Sequence, residues 1–211
     1  MNEIELFEFD RQGYIVIEGL LQADVVAALS RAVDDLEEHA VLRVQDPPRK
    51  PSGWGGDYHA NPERGYHVNG ERAVGKSIMI EDFWNADPAF DFLLDHEPTM
   101  QYVHAIVKER PTINNSELRI RYKGNHTHCH GGTTSAGQKY RYSFTERGID
   151  CMMVRMVYFI HDCGNEQGAF CVVPGTHKTN FPSPHSNNPD EDPDMVGLKV
   201  KAGDAIFFTE N

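Results

Sequence analysis

From Ser116 onward the chain is written in β-strands. "SELRIRYKG" alternates, with Leu118, Ile120 and Tyr122 on one side and Arg119 and Arg121 on the other. "DCMMVRMVYFIHD" is a nearly continuous apolar run, and "GAFCVVPGTHK" is a strand ending in a Pro-Gly turn. "GLKVKAGDAIFF" reads as a hairpin-like pair around Ala202-Gly203-Asp204. Period-two alternation buries one face of a strand, whereas a continuous apolar run suits a strand buried on both. Several such strands separated by turns restrict this half of the chain to a β-sandwich or small barrel.

The first half is mixed. "GYIVIEGLL", residues 13–21, is β-branched and predicts a strand. Val25, Val26, Leu29, Ala32, Val33 and Leu36 then recur at helical spacing, and Asp24 can cap that helix. Residues 45–75 are dense in Pro, Gly and polar side chains and predict a long loop, with His59 and His67 on its surface. "DPAFDFLLDHEPTMQYVHAIVKE" predicts two short helices broken at Pro98. The expected class is α+β with a mainly β core. One domain spans 1–211: an N-terminal strand, helices and long loop over 1–110, then the β core over 111–211.

Charge and cysteine content exclude some partners. The formal net charge is −12, which repels nucleic acid and anionic membranes. The N-terminus starts acidic and has no apolar run of membrane-spanning length. Cys129, Cys151, Cys163 and Cys171 show no CxxC spacing. Reduced thiols in a cytoplasmic protein are the simplest reading.

The densest chemical signal is "NHTHCHGG", residues 125–132, which puts His126, His128 and His130 at alternate positions. In an extended chain these imidazoles would share one face, and neutral imidazole suits iron, zinc and copper. The competing reading is a solvated polar edge. His161, at a strand end, and His177, in the "PGTHK" turn, read as structural, with His177 bonding backbone.

Three segments resemble the phytanoyl-CoA dioxygenase-like family. "FEFDRQGYIVIEGLLQADVVAAL" looks like its opening, and "FIHDCGNEQGAFCVVPGTHKTNF" like its most recognisable stretch. "VKAGDAIFFTEN" looks like the Gly-Asp strand that precedes a metal-binding His. The resemblance implies a double-stranded β-helix (a cupin-like jelly roll) and Fe(II) with 2-oxoglutarate. It also implies oxidation, usually hydroxylation, of a small organic substrate. The family's metal motif is His-x-Asp/Glu plus a distal His, leaving open positions for 2-oxoglutarate and O₂.

The chain departs from this pattern twice. No Asp or Glu lies in 126–132. With His130 as proximal ligand the carboxylate position is Gly132; with His128 it is His130. His130 is the first candidate ligand, His128 the second, and His126 a bystander. The distal His and the Arg for the far carboxylate of 2-oxoglutarate are expected beyond Asn211, in a chain missing its last core strands. Gly132 also fits the halogenase variant of this chemistry, in which a halide takes the carboxylate's place. A non-catalytic cupin-like binding protein is a further alternative. A zinc-dependent hydrolase ranks last, since no general base adjoins the histidines. Lys178, Arg119, Arg121 and Arg155 are the cations nearest the core strands. They read as solvated edge charges, one of which could meet an acidic substrate.

Overall fold

The computed structural model describes residues 1–43, 49–51, 57–128, 140–181, 183–185 and 191–210. The chain divides into two compact units. One comprises 1–26, 96–111 and 128–211, and the other 27–95 and 112–127.

The first unit opens with a helix that the sequence reading missed, α1 (Glu3–Gln12). Asn2 caps it. Its Oδ1 accepts from the Ile4 and Glu5 amides at 2.9 Å, while the Glu5 carboxylate accepts from the Asn2 amide at 2.7 Å. This Asn-x-x-Glu box supplies two orphan amides at the helix start. Gly13 ends the helix at φ +86, and its N–H donates to the Phe9 carbonyl. Strand β1 (Tyr14–Ile17) follows.

The main sheet of this unit is antiparallel, in the order β1, β12 (Ala205–Thr209), β9 (Val154–Tyr158). Tyr14 pairs with Phe208, which pairs with Arg155. The central strand β12 is covered on both faces: Ala205, Ile206 and Phe207 are fully buried. That is why "AIFF" reads as an unbroken apolar run. On one face, Ile15, Ile17 and Phe207 pack with Phe9 of α1, Ile106 of α3 (Glu97–Ile106), and Ile149 and Cys151. On the other, Tyr14, Val16, Ile206 and Phe208 pack with Phe170, Val172, Leu198 and Val200. These last four come from the antiparallel pair β10 (Phe170–Val172) and β11 (Val196–Leu198), and the bridge that follows it. A second pair, β7 (Tyr142–Thr145) and β8 (Gly148–Cys151), completes the unit. These antiparallel sheets with flanking helices are the expected α+β jelly roll.

One predicted pairing is wrong. "GLKVKAGDAIFF" is not a hairpin: β11 pairs with β10, and β12 with β1 and β9. The Ala202-Gly203-Asp204 turn instead switches the chain between sheets. The Asp204 carboxylate accepts from the Gly19 amide at 2.8 Å and the Lys201 amide at 2.7 Å. The turn is therefore fastened to the segment after β1 rather than closing a local pair.

In the second unit, β2 (Arg49–Pro51), β3 (Asp57–Asn61), β4 (Tyr66–Gly70), β5 (Ser77–Glu81) and β6 (Glu117–Arg121) form an antiparallel sheet in that order. Helix α2 (Ala23–Arg43) buries Leu29, Ala32 and Leu36 of the stripe expected from its sequence, and Ala40 beyond it, while Val25, Val26 and Val33 are half-buried. Its His39 Nδ1 bonds the Tyr66 hydroxyl at 2.6 Å, and its Glu37 accepts from Tyr122 at 2.6 Å.

The long-loop expectation for 45–75 is overturned by β3 and β4. His59 lies buried on β3, and His67, on β4, pairs with Asp82 at 3.1 Å. Tyr66 and Val68 alternate as a strand should, and Asn61 Oδ1 accepts from the Arg64 amide to form the turn between them. Proline and glycine density masked that alternation. Residues 88–94 form a 3-10 helix capped by Asp87, and Pro98 sits in the first turn of α3 rather than breaking it.

Candidate functional site

The histidine stretch does not continue a strand. Strand β6 stops at Arg121, and the Asn125 amide donates to the Tyr122 carbonyl at 2.9 Å. Gly124 turns there at φ +83. Residues 125–128 are irregular, and His126 and His128 are exposed. The expectation of three imidazoles on one strand face therefore fails at His126 and His128, because this turn ends the pleat that would align them. His130 and Gly132 lie outside the described residues. Among the described residues, no group of three or more His, Cys, Asp or Glu is placed to hold a metal ion. They do not by themselves compose an iron centre.

The "PGTHK" motif has a structural job, as its His177 was expected to have. Gly175 turns at φ +82, and its amide donates to the Gln12 carbonyl. The following 3-10 turn carries His177 inward, where it is 2 % exposed. Its Nε2 donates to the Asp10 carbonyl at 3.0 Å, and its ring meets Tyr142 edge-on at 4.6 Å. Lys178 reaches the Asp10 carboxylate at 2.8 Å, and the Tyr142 hydroxyl donates to the same carboxylate at 2.7 Å. One turn thus pins the end of α1 to β7. Lys178 is thus paired with Asp10 rather than a lone solvated charge.

Burial holds the His177 imidazole neutral, below its ordinary pKa; the bond to Asp10 opposes this without reversing it. At Asp10, burial would raise the carboxyl, but the hydrogen bonds from Lys178 and Tyr142 outweigh it and the group lies below its usual value. Burial and the Asp10 hydrogen bond push the Tyr142 phenol well above its usual range. The folded pKa of His177 is depressed, so the unfolded chain takes up a proton first, at about pH 6.5. Stability is complete above that pH and falls as pH drops below it, by up to about 1.4 kcal/mol per unit until the folded group protonates. Urea midpoints between pH 7.5 and 5 are expected to show this slope, and His177→Asn to flatten it. An unchanged slope in the variant would remove His177 as its source.

The inner face of the main sheet holds an ion pair. Arg155 stands opposite Phe208, and Glu210 follows Phe208 by two residues. Period two therefore puts Tyr14, Phe208, Arg155 and Glu210 on one face, the face that packs against β10 and β11. The Arg155 Nε contacts Glu210 Oε1. The Glu210 side chain is 6 % exposed and the Arg155 side chain 33 %. Phe170 and Phe208 meet at 5.3 Å between ring centroids on the same face, tilted by 57°. Arg155 is thus paired, not simply solvated. Arg119 pairs with Glu117 on β6, while Arg121 stays on the surface.

Sequence reasoning passed over Glu210, although a signal was there. Ile206, Phe208 and Glu210 continue one alternation, and Arg155 is the lone charge in "VRMVY". A cleft of about 530 Å³ lies elsewhere, lined among others by Ile106, Arg141, Ile149, Asp150 and Cys151. Ile106, Ile149 and Cys151 belong to the helix-covered core, so this cleft is on the other side of the sheet from Arg155.

Residues 9–211 match the family model described as "Phytanoyl-CoA dioxygenase (PhyH)". No curated protein matches the chain by sequence. Among solved structures, HygX from Streptomyces hygroscopicus with nickel and 2-oxoglutarate bound is similar at TM-score 0.72 and 20% identity. The match covers 100% of this chain and 78% of that one. SnoK, a non-heme alpha-ketoglutarate-dependent carbocyclase from nogalamycin biosynthesis, matches at TM-score 0.60 and 15% identity, over 100% and 75%. AviO1 from Streptomyces viridochromogenes Tue57 matches at 0.56 and 17%, over 99% and 84%.

Proposed function

Because the chain belongs to the phytanoyl-CoA dioxygenase family, we propose that it is a non-haem Fe(II)- and 2-oxoglutarate-dependent oxygenase acting on a small organic molecule. The family match across residues 9–211, on a jelly roll, carries this reading. Solved neighbours support it: HygX was crystallised with iron, and with nickel, 2-oxoglutarate and hygromycin B. The substrate class is a small organic metabolite, usually hydroxylated. In this reading residues 1–211 act as one oxygenase domain, to whose core sheet β1 contributes alongside β9 and β12 from 111–211. Among the described residues, no helix is long and apolar enough to cross a membrane. The thiols of Cys151 and Cys163 and the acidic surface suit a cytoplasmic setting.

His130 is the favoured iron ligand and His128 the second. The two lie two positions apart in the sequence. Bound iron with 2-oxoglutarate supplies the O₂-dependent oxidation of substrate. On the sheet face shared by β12 and β9, Phe208 meets Phe170 at 5.3 Å between ring centroids and makes that face apolar. Gly132 in the carboxylate position would spare room for an exogenous anion.

Anaerobic addition of Fe(II) to the protein with 2-oxoglutarate is expected to give a visible charge-transfer band. His130→Ala should abolish it and His128→Ala weaken it. No band in the wild-type protein, or an undiminished one in His130→Ala, would sink the respective assignment. Tight small-molecule binding indifferent to chelator would favour the non-catalytic alternative.

A further inference from the structure

We propose that the cleft beside the end of α3 binds an aliphatic amino acid, a ligand with a carboxylate and an ammonium on one apolar chain. This stands apart from the oxygenase reading, because it uses none of the residues assigned to iron.

The cleft, about 530 Å³, is of the size that holds a small molecule. Two walls define it. One is the end of α3, with Lys108 and Glu109 just beyond it. The other is the hairpin of β7 and β8, with Glu146 and Arg147 in its turn. Ile106, Ile149 and Cys151 supply apolar lining, each nine-tenths or more buried. The Cys151 thiol donates to the Met153 carbonyl at 3.3 Å, and burial pushes its pKa up, so it stays a neutral lining group.

Each wall carries unpaired charge of both signs. Arg141 and Asp150 neutralise each other in a two-point fork, at 2.7 and 2.9 Å. Among the described residues, no ion pair joins Lys108 or Glu109 to Glu146 or Arg147. Apolar walls strengthen the field of charges that line a cleft. Opposite charges that line one cleft without meeting leave both signs open to a single dipolar ligand. The turn holds its own shape: Thr145 Oγ1 donates to the Gly148 carbonyl and accepts from the Arg147 amide, both at 3.2 Å.

Helix polarity gives the ligand a direction. The C-terminal end of a helix attracts cations. The Lys108 ammonium already donates to the Ala105 carbonyl there, at 2.6 Å. Glu109 adds a carboxylate at this end. The ligand's ammonium therefore goes to Glu109, and its carboxylate to the Arg147 guanidinium, whose planar fork suits two carboxylate oxygens. The aliphatic chain lies against Ile106 and Ile149. A simple acid leaves Glu109 unneutralised, and a simple amine leaves Arg147 so.

Calorimetric titration of the full chain tests this with four probes: L-leucine, 6-aminohexanoate, hexanoate and hexylamine. At least one amino acid is expected to bind, about tenfold or more tighter than either single-charge probe. Preference for L-leucine assigns the site to α-amino acids, and preference for 6-aminohexanoate to ligands whose charges stand a chain's length apart. Arg147→Gln and Glu109→Gln should each weaken that binding about tenfold, and Arg147→Lys less, since it keeps the charge without the fork. Both residues are exposed, so the variants are expected to melt as the wild type does. Amide hydrogen exchange should slow at 106–109 and 145–151 when the amino acid is bound. Failure of both amino acids to bind, or binding no tighter than hexanoate or hexylamine, overturns the proposal. So do folded variants that bind as the wild type does, or protection confined to other segments.

Discussion

Gly13→Ala is expected to cost about 3 kcal/mol and to lower the melting temperature by roughly 10 °C. Two penalties add at this residue. Gly13 sits at φ +86, where a side chain is strained. A Cβ there would lie 2.5 Å from His177 Nδ1 and 2.8 Å from its Cγ. The imidazole cannot swing aside cheaply. It is bonded to the Asp10 carbonyl and packed edge-on against Tyr142. A double-mutant cycle separates the two parts. In a His177→Ala background, the same substitution should cost only the backbone strain, about 1 kcal/mol. Thermal melts followed by circular dichroism give all four corners. Equal costs in both backgrounds would mean that the close approach does not matter.

Phe207→Ala is the second large effect, at about 3–5 kcal/mol. Phe207 is fully buried at the centre of β12, with Phe9 at 5.2 Å and Tyr102 at 6.1 Å between ring centroids. Those rings come from α1 and α3, so the cavity would open where both helices meet the sheet. Against a typical total of about 5–15 kcal/mol, such a loss consumes a large share of stability. The urea midpoint should fall sharply. Phe181, 81 % exposed, provides the control: Phe181→Ala should change stability by less than about 0.5 kcal/mol. Similar shifts in the two variants would contradict the burial assigned to Phe207.

How legible the fold was depended on whether a segment's fate was local. The stripe of α2, the apolar run of β12 and the alternation of β6 each carry their own period, and each forms as its sequence indicates. Helix α1 carried a readable signal too, Asn2 with Glu5, but its few apolar residues obscured it. Pairing was another matter. Nothing local tells β11 that its partner is β10 rather than the strand just ahead of it. The site divides in the same way. His177 could be read as a turn residue bonding backbone because the "PGTHK" turn is local. The alternation of His126 and His128 misled, because Gly124 ends the strand just before them. Arg155 lies on β9 and Glu210 just past the end of β12, and they meet only through the register of those strands, which sequence alone does not disclose.

The pairing of β1 with β12 governs how this protein can be made. Gly19 and Asp204, bonded beside that pairing, lie 185 residues apart. At ribosomal speeds of roughly 5–20 residues per second, β1 waits about 10–40 s before its partner strand exists. During that interval Ile15 and Ile17 have no sheet to cover them, and α1 has no floor to rest on. The main sheet closes only after synthesis has passed Thr209, through contacts of long sequence separation that form slowly. Nascent chains are therefore exposed to premature association through this apolar N-terminal strand, and a holding chaperone should raise the yield of folded protein more than a stabilising substitution in β1 would.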